Sequence, residues 1–112
     1  MRLGYAIYVT KEGVRDRETA TETARSLGQA FAKRYEAGLL RGSEVIPVVD
    51  EETYAEEEID REWVEEEIGP PPFVYATVSW DADDPERGSA EHQDIVTAFR
   101  LHRLLEAEQP PR

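Results

Sequence analysis

The feature that most constrains this chain is a block of carboxylates in its middle. Eleven of the nineteen residues from 50 to 68 are Asp or Glu, and Arg61 is the only base among them. Because unpaired carboxylates are almost never buried, this segment has to lie at the surface. Ala55, Ile59 and Trp63 are spaced as on one side of a helix. The spacing predicts a short or broken helix that is anchored by Trp63 and exposes its acids, followed by an extended linker at the three prolines 70–72.

Three interpretations of this acidic segment stay open. It is a solvated face adapted to high salt, a docking surface for a basic protein, or a mimic of DNA phosphates that blocks a nucleic-acid-binding protein. Aromatic side chains among charges are typical interface anchors, although Trp63 also fits a role as a core anchor. The docking interpretation assigns partner binding to Tyr54, Glu57, Glu58, Trp63 and Glu66.

The charge of the chain is unevenly distributed. Residues 1–42 carry a net charge of +3, residues 43–68 carry −11, and residues 69–112 carry −4, which gives −12 in total. A negative surface repels phosphates, so we expect no direct nucleic acid binding and no binding to anionic membranes. Two lysines stand against eleven arginines. This bias resembles the halophilic composition of proteins from salt-rich cytoplasms, and a high-GC genome would produce it as well.

Composition also bears on the compartment. The chain has no cysteine, which excludes disulfides, thiolate metal sites and a cysteine nucleophile. No apolar run approaches the ~20 residues of a membrane span, and no signal-peptide-like stretch precedes Leu3. We therefore expect a cytoplasmic protein.

The 112 residues are enough for one domain, which we place at 1–108 with a flexible tail at 109–112. Alternating or continuous apolar residues predict strands over 3–10, 44–49 and 73–80. Helical spacing predicts a long helix over 19–37, begun by a capping box of Thr19 and Glu22, and a last helix over 89–106. Pro47 argues against a central position for the second strand, because proline cannot donate to the ladder.

The resulting order is β-α-β-α-β-α, with a three-stranded sheet, two long helices and a short acidic helix. Two architectures fit this order. One is a three-layer sheet of parallel strands. The other, which we favour, is a two-layer α+β sandwich with the second and third strands antiparallel, as in a ferredoxin-like unit that lacks its last strand. A partner subunit would then supply the missing edge strand, which predicts a homodimer.

Carboxylates also follow the first and third strands. Glu12-Gly13 after the first strand and Asp81-Ala82-Asp83 after the third, with Gly88 downstream, resemble the Toprim pattern of primases and some topoisomerases. The resemblance implies that Glu12, Asp81 and Asp83 hold Mg²⁺ for phosphoryl transfer, and hard oxygen ligands suit that ion. The alternative is that these carboxylates are solvated turn residues.

The histidines give little support for an enzyme. His92 and His102 are ten residues apart on the predicted last helix, so they do not stack as a metal-binding pair would. His102 falls on the apolar side, which is typical of a hydrogen-bonded boundary histidine. We therefore predict a non-enzymatic protein-binding or regulatory domain without a cofactor, and the Toprim-like Mg²⁺ enzyme remains the alternative.

Overall fold

The computed structural model describes residues 2–83 and 93–109. Its elements are β1 (Leu3–Thr10), α1 (Arg17–Glu36), β2 (Gly42–Val48), α2 (Glu51–Glu56), α3 (Arg61–Ile68), β3 (Phe73–Asp81), α4 (Gln93–Ala98) and β4 (His102–Gln109). The strands form one sheet in the order β2-β3-β1-β4, and every neighbouring pair is antiparallel. The α+β class is confirmed, together with the antiparallel pairing of the second and third strands. The predicted number of three strands is wrong, and so is the parallel alternative. The favoured two-layer sandwich is also wrong, because helices pack on both faces of the sheet.

The largest correction concerns the predicted last helix over 89–106. Residues 89–92 lie outside the described residues, α4 ends at Ala98, and Arg100 has a left-handed φ of 49° that breaks the helix. Residues 102–109 instead pair with β1 as β4, with a bulge opposite Ile7 and Tyr8. The free edge of β1 needs a partner, and this tertiary pairing overrides the helical spacing of the segment.

Several smaller predictions depended on that helix. The chain itself supplies the strand that we expected from a partner subunit. His102 is an exposed residue at the start of β4, and His92 lies outside the described residues. Gln109, predicted to begin a flexible tail, is the last residue of β4.

Helix α1 begins two residues before its predicted start. Asp16 is the N-cap, and its carboxylate accepts a hydrogen bond from the Thr19 backbone at 2.9 Å, so Thr19 is the third helical residue and not the cap. The apolar side buries Ala20, Ala24, Leu27 and Phe31. These residues pack on the even-numbered side chains of β1 and β3 and, with α4, form the larger core.

The odd-numbered side chains of β1 and β3 belong to the opposite face of the sheet. There a smaller core joins β1, β2 and β3 to α2 and α3. The acidic segment is thus two short helices, which confirms the prediction of a broken helix. Strand β2 lies at the sheet edge, as Pro47 indicated. Among the described residues, no helix is both long and apolar enough to cross a membrane.

Candidate docking surface

The acidic segment, residues 50–68, is a structured unit that we call the α2–α3 module. Asp50 caps α2: its carboxylate accepts hydrogen bonds from the Thr53 backbone at 3.1 Å and hydroxyl at 3.0 Å. These bonds, with a smaller contribution from Arg17, hold the pKa of Asp50 below its usual value. Arg17 of α1 also pairs with Asp50 at 3.0 Å. Asp60 caps α3 through the Trp63 backbone at 3.2 Å. Two of the eleven acids therefore begin helices.

The inner side of the module is apolar and packs on the sheet. Tyr54, Ile59 and Val64 are buried against a floor that includes Val48 and Phe73. An aliphatic side chain such as Ile59 or Val64 contributes about 1.5–3 kcal/mol when fully buried, which offsets part of the cost of ordering so charged a segment. Trp63 and Ile68 are half-buried at the margin of this core.

One polar contact joins the two helices from within. The Tyr54 hydroxyl donates a hydrogen bond to Oε1 of Glu65 at 3.1 Å. Burial of the ring, and then this bond to a carboxylate, raise the pKa of Tyr54 to about 12. Tyr54 thus holds α2 to α3, and only 5% of its surface is exposed.

The single base of the module is engaged in the same contact. Arg61 pairs with Glu51 at 2.8 Å and with Glu65 at 3.3 Å, and its guanidinium lies 5.7 Å from the centre of the Tyr54 ring. Within the part of the chain that the structure describes, the other seven acids of the module form no ion pair and cap no helix: Glu52, Glu56, Glu57, Glu58, Glu62, Glu66 and Glu67. All seven are exposed.

The structure distributes the predicted partner-binding residues between the two sides of the module. Glu57, Glu58 and Glu66 belong to the exposed, unpaired set, and Glu58 has a left-handed φ of 54° in the turn between the helices. Trp63 is half-buried and packs against the smaller core. Tyr54 is buried beneath these four residues, so it supports the docking surface without forming part of it.

The residues of the magnesium alternative are not brought together. Leu3 pairs with Asp81 and Thr10 pairs with Val74, so Glu12 and Asp81 follow opposite ends of neighbouring strands, roughly 25 Å apart at 3.3 Å per residue. Glu12 pairs with Arg100 at 3.0 Å, and Asp81 lies 3.5 Å from Arg41.

Asp83 stays beside Asp81, since its backbone N–H donates to the Asp81 carboxylate at 3.0 Å. Gly88 lies outside the described residues. Residues 2–83 and 93–109 contain no group of three His, Asp or Glu side chains that could hold a metal ion.

Sequence reasoning missed one further feature, an open area on the same sheet face as the α2–α3 module. The module covers only the half of that face near the end of β1. The remaining half, which no helix of residues 2–83 and 93–109 covers and which we call the sheet recess, consists of Leu3, Tyr5, Ile7, Thr77, Ser79 and Leu105. The only signal of the recess in the sequence is the alternation of apolar residues along β1. This alternation runs over a longer part of the strand than two short helices can cover.

No protein-family model, curated protein or solved structure matches this chain. Its function is therefore inferred from the residues of the surface itself.

Proposed function

We propose that this chain is a protein-binding or regulatory domain without catalytic activity, whose α2–α3 module docks a basic segment of a partner protein. The observation that carries the proposal is the set of seven exposed carboxylates that have no ion-pair partner among the described residues, all on one capped and internally bonded module. The backbone of the module is already ordered by its caps and internal bonds, so the interaction energy is spent on ordering the exposed side chains and not the segment that carries them.

The distribution of charge supports docking over a general adaptation to salt. Residues 43–68 carry −11, whereas residues 1–42 and 69–112 carry +3 and −4 and nearly balance each other. An adaptation to salt calls for acids spread over the whole surface. A field concentrated at one place steers a partner of opposite charge toward it and accelerates association.

The test is titration with a lysine–serine peptide, which is basic and has no apolar side chain. We expect the double variant Glu57→Gln, Glu66→Gln to bind it several-fold more weakly than the native protein and with a shallower dependence on salt. The matched control is Glu22→Gln, Glu36→Gln, which removes the same two charges from exposed positions on α1. Equal weakening in both double variants would refute the proposal, because the peptide would then respond to net charge alone.

A further inference from the structure

The sheet recess and the α2–α3 module are parts of one continuous surface. Tyr75 is half-buried beside the smaller core. Burial, and then the nearby Glu44 and Tyr5, raise the pKa of its phenol. Beyond Tyr75 the floor continues through the pairs of Ile7 with Thr77 and with Leu105. An apolar floor thus runs directly from the edge of the module into the open half of the face.

The floor of the recess is partly exposed although it carries the large apolar side chains of Tyr5, Ile7 and Leu105. Leu105 is 38% exposed and is one of two large hydrophobic side chains exposed to this degree in the described part of the chain. Tyr5 and Ile7 are also partly exposed on this face. The side toward β2 is a shallow groove of about 240 Å³, lined by Tyr5, Glu44 and Thr77 among others.

The dimensions of the recess suit one helix. Along β1 it extends from Leu3 to Ile7, about 13 Å at 3.3 Å per residue, and across four strands it spans about 14 Å. A helix with its side chains is about 10–12 Å across. One added helix would lie beside the module and complete the layer that α2 and α3 begin.

The charges around the recess specify the chemistry of that helix. Glu44 borders it on the β2 side, and the module with its seven exposed carboxylates borders the other end. Arg41, at the far end, pairs with Asp81. The recess therefore suits a helix with one apolar side against the sheet and basic residues on its flanks.

A second copy of this chain does not meet these requirements. Face to face, it would present its own α2–α3 module, which stands about 10 Å above the sheet. The outward side of that module carries Glu57, Glu62 and Glu66, and these would lie against Glu44 and the module of the first copy. Carboxylates opposed in this way repel each other.

We propose that the sheet recess binds an amphipathic, basic helix of a partner protein, whose apolar side packs on Tyr5, Ile7 and Leu105 while its basic flanks meet Glu44 and the module. This proposal rests on the proposed function and adds the shape and apolar content of the partner.

The experiment compares two tryptophan-free peptides with the same number of lysines. One is a lysine–leucine peptide that forms an amphipathic helix, and the other is the lysine–serine peptide described above. Binding is measured by calorimetry and tryptophan fluorescence, in salt at which circular dichroism shows each protein to be folded. We expect the lysine–leucine peptide to bind at least about tenfold more tightly, because burial of a few leucines on the floor accounts for that factor or more.

Two variants locate the additional affinity. Leu105→Ser removes the most exposed apolar contact, and Thr77→Lys places a cation in the floor, so each should abolish the tenfold difference between the peptides. The control is Tyr35→Ser, since Tyr35 is the other exposed large hydrophobic residue, 56% exposed on α1. We expect it to leave the difference unchanged.

The outcomes separate the two proposals. Equal affinity of both peptides overturns the recess proposal and leaves the acidic docking surface in place. If neither peptide binds, both proposals fall. A tenfold difference that persists in both recess variants places the apolar contact elsewhere and overturns the recess proposal. A dimer that Leu105→Ser dissociates in sedimentation also overturns it, because a second copy would then occupy the recess.

Discussion

Tyr54→Phe tests whether the α2–α3 module is a bonded unit. The change removes one hydroxyl, keeps the buried ring and creates no cavity. The lost interaction is the 3.1 Å hydrogen bond from the phenol to Glu65. Hydrogen bonds to charged groups contribute about 1.5–3 kcal/mol. Glu65 is 26% exposed and keeps Arg61 as a partner, so we expect the lower part of that range, about 1.5–2 kcal/mol.

The measurement is denaturant unfolding at fixed salt, where the midpoint should fall with the slope unchanged. In thermal unfolding, the same loss lowers Tm by about 6–9 °C for a domain of this size. Glu65→Gln and the double variant complete a cycle, and we expect the two single changes to be strongly non-additive. A loss below about 0.5 kcal/mol together with additive single changes would contradict a bonded phenol.

The burial of Tyr54, together with its bond to Glu65, also predicts a pH dependence. The pKa of Tyr54 is about 12 in the folded chain and about 10 in an unfolded one. Since the folded state favours the protonated phenol, the stabilisation is fully present below about pH 10 and is lost as the pH rises toward about 12. Tyr54→Phe should therefore show a smaller loss of stability across this interval than the native protein, and equal slopes would refute the assignment.

Four further changes test the fold and its charges. Leu27→Ala should destabilise the larger core by about 2–5 kcal/mol in denaturant unfolding, because it removes a fully buried side chain and leaves a cavity; a smaller loss would mean that α1 packs loosely. Gly4→Ala should lower the unfolding midpoint, since an added Cβ would lie 2.5 Å from the Trp80 ring; an unchanged midpoint would contradict that close approach. Rising NaCl should raise Tm, because the ions screen the repulsion among the acids. Glu57→Gln or Glu66→Gln should be neutral or mildly stabilising, because each removes one repelling charge; unfolding of either variant would show that its carboxylate has a structural partner. Sedimentation at micromolar concentration tests the predicted homodimer, for which β2 and β4 are the two edge strands of the described sheet; a monomer at every concentration would refute it.

Features that depend on local spacing could be predicted from the sequence. The bounds of β1, the apolar side of α1 and the surface position of the acidic segment follow from period-2 and period-3.6 patterns and from the cost of burying carboxylates. The edge position of β2 followed from Pro47 alone. The acidity of the candidate docking surface was equally evident, because eleven of the nineteen residues from 50 to 68 are acids and carboxylates without partners stay at the surface.

Features that depend on partners distant in sequence could not be predicted. Residues 102–109 have an apolar spacing compatible with a helix, and only the free edge of β1 makes them a strand. The antiparallel direction of β3 separates Glu12 from Asp81, which no pattern in either segment reveals.

The candidate site shows the same division. The number of acids is a property of the sequence, whereas the burial of Tyr54, the capture of Arg61 by two carboxylates and the open sheet recess depend on how the elements pack. Local patterns determine which side of an element is apolar, because they depend on the backbone period alone. Which apolar side is then covered, and which remains open for a partner, is decided by the tertiary structure, because coverage depends on the lengths and directions of elements that are far apart in the chain.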